Sequence, residues 1–233
     1  MAKRPVFCPT SEGHDLVKIF SVDFEWFPGF SIKQKQRSID ALHEAARLRE
    51  VGPILEISTK SSLELGSALS AFNLRLTVSP ERNTTVEGAY QGSKVFDNGG
   101  PYPDLFDLTG RQIRRDQRLK NSGNLVAFEI NRIQWPLEPK TVFYDWLYVS
   151  ALCQNKKRAA QLLKYQAFTD IEFNPRNSIN CQAHGAALYV ALSQRKLLAE
   201  AISDRNSFLA VMRRYDYKEE IKGLDGFSQE ELL

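Results

Sequence analysis

An acid, an amide and an amine recur along the stretch "TTVEGAYQGSKVF" (Thr84–Phe96): Glu87, Gln91 and Lys94. Wound as a helix at about 100° per residue, these three fall within roughly 60° of one another. Val86, Ala89 and Phe96 form an apolar face on the same winding. A carboxylate at such a place can steady a developing positive charge or activate water. The amide can hydrogen-bond a substrate or fix the acid. The amine has two possible tasks: holding a phosphate or carboxylate as a point charge, or, once desolvated, acting as a nucleophile that forms a Schiff base. A polar line opposite an apolar one is also how a solvated helix face looks, and an acid in a first helical turn is favoured there for its own sake. Lys60 in "ISTKSSLELG" offers the same amine chemistry, with plain surface exposure as the alternative.

The elements that must position these groups are legible in outline. "VDFEWF" (Val22–Phe27) alternates like an edge strand with one wet face, and Pro28-Gly29 breaks it. Residues 31–49 have helical periodicity that ends at Gly52-Pro53. "ILEIS" (Ile54–Ser58), the end of "LSAFNLRLTV", "LVAFEI" and "FTDIEF" (Phe168–Phe173) read as strands. Helices are expected at Val142–Cys153, Arg158–Tyr165, Cys181–Ala201 and "NSFLAVMRR". The reading is one α+β domain over residues 1–215, helix-rich with a small, mostly antiparallel sheet, followed by a polar tail at 216–233.

Composition removes several classes. The 233 residues are 42% hydrophobic, enough for a proper core, and a net charge of +3 is too small to indicate nucleic-acid binding without clustering. Apolar runs are too short to span a bilayer, and the basic start lacks the apolar region of a signal peptide, so a cytoplasmic protein is expected. Three widely spaced cysteines argue against a disulfide framework, and the lone Cys181-x-x-His184 pair falls short of the four ligands of a structural zinc site. No metal or other cofactor is expected. The common nucleotide, protease and hydrolase signatures are missing.

"LSAFNL" (Leu69–Leu74) followed by "VEGAYQGSK" (Val86–Lys94) resembles the NADAR, or YbiA-like, family. Members typically carry Leu-Ser-Asn-Phe, a short excursion, then Glu-His-x-x-Gln-x-x-Lys opening a helix. Ser70, Phe72, Glu87, Gln91 and Lys94 occupy motif positions, whereas Ala71 stands for the usual Asn and Gly88 for the usual His. The Trp-Gly-x-Gly run of many members is absent. Leu162–Leu192 is similar to the family's closing module, in which Glu172 or its neighbour Asp170 would be the acid and Asn180 the Asn, although Asn180 is equally suited to capping the next helix. The similarity covers about residues 54–192, leaving an N-terminal extension. In overall pattern the chain resembles the antitoxins paired with DarT-type DNA ADP-ribosyltransferase toxins.

That resemblance implies N-glycosidase chemistry: removal of ADP-ribose from guanine in DNA, single-stranded as the expected form, with ADP-ribose as product and a DarT-type toxin as a further partner. Two other functions fit the same resemblance, a glycosidase of small phosphoribosyl metabolites and a non-catalytic toxin binder. Under the first, Glu87 is the carboxylate and Lys94 the favoured amine, with Lys60 in reserve. Gln91, Ser70, Phe72, Asn180, Asp170 and Glu172 would complete the pocket. Tyr90 and Trp146 are candidate stacking surfaces for a base, with core packing as the alternative. The run "RQIRRDQRLK" offers Arg114, Arg115 and Arg118 as DNA contacts, or else a solvated face.

Overall fold

The computed structural model of the protein describes residues 1–175 and 178–215, so the expected polar tail lies outside the described residues. Strands β1 (Ala2–Pro9) and β2 (Val17–Phe24) form an antiparallel hairpin, with Ala2 opposite Phe24 and Pro9 opposite Val17. β1 escapes the sequence pattern because Pro5 and Pro9 read as breakers. Its second neighbour, the late strand β9 (Ala167–Thr169), meets it only at Phe7–Phe168, so one edge of β1 is largely free of a ladder that proline would interrupt. Helix α1 (Ile32–Arg47) starts where the Ser31 hydroxyl accepts the Gln34 N–H at 3.2 Å. It lays Ile39, Leu42 and Ala46 against Val6, Val22 and Phe24 in a small separate core.

β3 (Ile54–Glu56) runs parallel to β9 (Ala167–Thr169), which completes the sheet in the order β2-β1-β9-β3. After the one-turn helix α2 (Glu64–Ala68) come the hairpin β4 (Arg75–Ser79) and β5 (Arg82–Thr85), then α3 (Val86–Gly92). β6 (Lys94–Phe96), β7 (Leu125–Ile130) and β8 (Ile133–Trp135) make an antiparallel three-stranded sheet. Between β6 and β7 lie a 3₁₀ turn (Pro103–Asp107) and the short helices α4 (Gly110–Ile113) and α5 (Arg118–Asn121). The fold is thus α+β, with mostly antiparallel sheets.

The main core forms where α6 (Val142–Gln154) packs on α8 (Gln182–Gln194). Both are apolar all round, as helices covered on every side must be. α7 (Lys156–Leu162), α9 (Leu198–Ala201) and α10 (Arg205–Arg214) close the periphery. The single helix expected over Cys181–Ala201 is in fact two. Lys196 turns to a φ of 60°, and the Leu197 N–H reaches back to the Leu192 carbonyl at 2.8 Å, a helix-ending loop usually signalled by glycine. The adjoining Arg195 guanidinium donates to the carbonyls of Thr10, Glu12, Gly13 and Asp15, tying this stop to the β1–β2 turn. The strand expected over Phe168–Phe173 ends early. From Asp170 the chain turns, because that carboxylate accepts the N–H groups of Glu172 (3.0 Å) and Phe173 (3.2 Å). Among the described residues, no helix is long and apolar enough to cross a membrane.

Candidate active site

The two halves of the sequence motif are joined by backbone hydrogen bonds. Val86 N donates to the Leu74 carbonyl at 2.9 Å and Glu87 N to the Ala71 carbonyl at 3.0 Å, so "LSAFNL" accepts the first N–H groups of α3. The Thr85 hydroxyl caps the same helix by accepting from Gly88 N at 3.0 Å. Glycine at position 88 follows from this packing. A Cβ there would lie 2.4 Å from Thr84 Oγ1, which is buried and donates to the Phe106 carbonyl at 2.6 Å. Gly88→Ala is therefore expected to destabilise the fold by about 1–3 kcal/mol, the range for overpacking, as read by urea denaturation.

Lys94 is not on the helix. α3 stops at Gly92, Ser93 caps it, and Lys94 opens β6 opposite Phe128, drawn into the sheet as Ser93 accepts Glu129 N at 2.7 Å. The expected single helical line is thus corrected to a helix–strand corner. The amine nonetheless reaches the same neighbourhood. Lys94 is only 2% exposed, and its Nζ lies 5.3 Å from the centre of the Tyr90 ring. Burial pulls its pKa down to about 8, against the upward pull of the Glu87 carboxylate. Burial pushes the Glu87 pKa up. Gln91, donating from Nε2 at 3.2 Å, and the charges of Lys94 and Arg114 oppose that shift. Acid and amine are each displaced toward neutrality in one another's field.

Around this pair stand groups with unused hydrogen-bonding capacity. Asn180 does not cap α8, which begins after Cys181. Its Nδ2 donates to the Tyr90 hydroxyl at 2.7 Å. Asn180 Oδ1, Ser70 Oγ and Ser93 Oγ are sealed from solvent and have no hydrogen-bond partner among the described residues. Such atoms are rare in folded proteins and invite a ligand hydroxyl or amine. Phe72 is half-buried, and the Arg114 guanidinium lies 5.5 Å over its ring within the field of Glu87.

The chain matches one protein-family model, described as the DarT1-associated NADAR antitoxin, over residues 2–222. It belongs to that family. The match takes in the N-terminal hairpin and α1 as well as the motif region. No curated protein matches the chain significantly.

Within this NADAR antitoxin, a second polar group adjoins the first. Glu172 holds Lys60 at 3.7 Å and accepts from the Thr59 hydroxyl at 3.0 Å. Asp170, buried and with its pKa raised by burial and by Glu56, bonds the side chain of Gln182. Gln182 Oε1 in turn accepts Ala71 N at 2.7 Å, next to the carbonyl that receives Glu87 N. Gln182 and Glu56 are the participants that sequence reasoning passes over. Glu56 did leave a signal, a lone acid inside the apolar run "ILEIS". Its buried carboxylate accepts from Thr169 Oγ1 (2.7 Å) and Ile171 N (2.8 Å).

Three candidates are not gathered in. Trp146 packs on Trp135 at 4.7 Å and Phe143 at 6.1 Å, in the aromatic core rather than beside Glu87. Arg118 is held by Asp104 and Asp116 (2.7 Å to the latter) and lies over Tyr102. Arg115 is exposed on the same segment. The basic run therefore does not act as one patch: Arg114 lies over Phe72 with its charge felt at Glu87, while the charge of Arg118 is already matched. The Tyr90 ring packs on Phe128, Phe143 and Tyr144, leaving its hydroxyl as the polar contribution. Two surface hollows, one beside Arg82 and Asn131 and one beside Gln154 and Arg158, include neither Glu87 nor Lys94.

Proposed function

We propose that this antitoxin is an N-glycosidase that removes ADP-ribose from guanine bases of DNA, acting in the cytoplasm to reverse the modification made by its associated toxin. The observation that carries the reading is the Glu87–Lys94 pair. A dry amine with a pKa near 8 and a carboxylate of raised pKa share one field, beside sealed polar atoms that have no hydrogen-bond partner among the described residues. Burial draws the Lys94 pKa down and the Glu87 pKa up, so a single proton shared by the pair arms both groups when it sits on Glu87.

The neutral Lys94 amine attacks the anomeric carbon of the ribose. A C–N bond forms to lysine while the bond to the guanine amino nitrogen breaks, and Glu87 gives its proton to that nitrogen. Glu87 then takes a proton from the alkylated amine and passes it to the ring oxygen as the sugar opens to an imine. Water adds to the imine carbon, the bond to lysine breaks, and ADP-ribose closes to its ring form. The net reaction consumes one water. Gln91 orients Glu87, Ser70 and Asn180 receive sugar hydroxyls, and Arg114 draws the pyrophosphate.

The test is a DNA oligonucleotide carrying ADP-ribosyl-guanine, incubated with the purified protein and followed by chromatography. Unmodified oligonucleotide and free ADP-ribose are expected in equal amounts. Cleavage confined to small phosphoribosyl compounds, or stoichiometric capture of the toxin without release of ADP-ribose, would overturn the reading.

A further inference from the structure

We infer that the loop joining β2 to α1, with the first turns of α1, is a docking platform for single-stranded DNA, separate from the basic run and continuous with the Lys60 edge of the site. The inference rests on the DNA reading of the Glu87–Lys94 pair. From Trp26 to Arg37, "WFPGFSIKQKQR" contains three aromatic residues and three cations and no acid. Aromatic rings interleaved with cations suit a single strand, because bases stack on the rings while phosphates meet the cations. A duplex hides its base faces and cannot use such rings.

The mount is rigid. Phe27 N donates to the Ser38 hydroxyl at 3.0 Å, and that hydroxyl, fully buried on α1, donates back to the Phe27 carbonyl at 3.3 Å. The Arg37 guanidinium lies 4.0 Å from the centre of the Phe27 ring. Trp26 rests edge-on against Phe24 and has Lys35 Nζ 4.7 Å from its centre. At the tip Phe30 is wholly exposed, at 102%. A fully solvated phenylalanine contributes nothing to the fold. Beside two anchored rings it reads as a third stacking position awaiting a base. The acids nearest in sequence are Asp23 on β2 and Glu25 just after it, which precede the platform, and Asp40, exposed on α1 three residues past Arg37; Asp23 is paired in register with Lys3.

Continuity with the site comes through Gln36. Its Nε2 reaches the Lys60 carbonyl at 3.5 Å, and the Lys60 amine is held by Glu172. From Glu172 the polar line runs through Asp170 and Gln182 to the Ala71–Glu87 bond. A strand with its modified guanine at Glu87 would leave past Lys60 onto the rings.

The experiment titrates the full chain with an unmodified twelve-residue oligothymidylate, read by fluorescence anisotropy. Phe30→Ala, at a position with no packing to lose, is expected to weaken binding roughly fivefold or more, the loss of one stacked base. Lys33→Ala with Arg37→Ala should flatten the log–log salt dependence by about one unit. Equal affinity for duplex DNA, or unchanged affinity in Phe30→Ala, would overturn the platform. If Phe30→Ala binds like the parent while the parent still releases ADP-ribose from modified DNA, the platform falls and the hydrolase reading stands. If no ADP-ribose is released yet the Phe30 dependence persists, the hydrolase reading falls and the platform stands.

Discussion

Glu87→Gln is expected to lower turnover on guanine-modified DNA by roughly a hundredfold or more, the span typical of a general acid–base group, while leaving affinity close to that of the parent. Glutamine keeps the size of the side chain and an oxygen to accept from Gln91, so the loss isolates the proton and the charge. The pH profile carries more information than the rate. In the parent chain the productive pair holds a single proton. Below the raised pKa of Glu87 both groups are protonated and the amine is blocked. Above about 8 the shared proton is gone and the leaving nitrogen has no donor. The profile of kcat/KM is therefore a bell whose alkaline limb falls near pH 8. With Glu87 replaced, only the amine titrates, and residual activity should rise with pH to a plateau. Its midpoint should sit below 8, because the carboxylate that held the amine's pKa up has been removed. Full activity, or an unchanged bell, would return Glu87 to the role of a first-turn helix residue.

The periodicity of this stretch pointed to three residues through a geometry that the fold corrects. Glu87 and Gln91 do lie one turn apart on α3 and are hydrogen-bonded. Lys94 continues the 3.6-residue pattern on paper, yet strand pairing with β7 captures it. A tertiary contact overrode local periodicity there, and no residue near Ser93 announced it. The join between "LSAFNL" and α3 was legible only as two motifs in order. What links them is a pair of backbone bonds, which carry no side-chain signature. For the same reason Gln182 went unremarked: its partners are a backbone N–H of "LSAFNL" and a distant carboxylate.

Charge runs were the least legible feature. "RQIRRDQRLK" looks uniform, but Asp104, fourteen residues before Arg118, neutralises one end of it, and the fold lays Arg114 over Phe72 with its charge felt at Glu87. The platform at Trp26–Arg37 has fewer cations per residue, and in the sequence it stood out only as part of an N-terminal extension that favoured a large polymeric substrate over a small metabolite. Its distinguishing property is exposure of Phe30 beside pinned rings, which only coordinates reveal. Of the core helices, α6 was legible nearly to its ends as a long apolar run, whereas α8 was legible only at its start, because the stop at Lys196 carries no glycine.

Lys94→Met is expected to abolish turnover to within roughly a thousandth of the parent rate, since paired groups that act as a unit fail together. Methionine keeps most of the buried volume, so the fold is retained. The decisive measurement is chemical. Borohydride added during turnover should reduce the imine and fix an ADP-ribosyl mass on the peptide containing Lys94 in the parent, with no adduct in Lys94→Met. An adduct on the Lys60 peptide, or one that persists in the variant, would move the nucleophile elsewhere. The two lysines differ in surroundings: the Lys60 amine is held by Glu172 and Thr59 near the surface, whereas Lys94 is nearly dry. Stability gives an independent check. Between about pH 8 and the ordinary lysine value, the unfolded chain keeps a proton on Lys94 that the folded chain has released. Folding is thus penalised by this residue below pH 8, and the penalty fades as the pH rises through that window. Lys94→Met should remove the pH-dependent part and gain stability at pH 7, partly offset because the Glu87 carboxylate loses a neighbouring cation. A variant that is both inactive and at least as stable as the parent would mark Lys94 as a residue retained for chemistry at a cost to the fold.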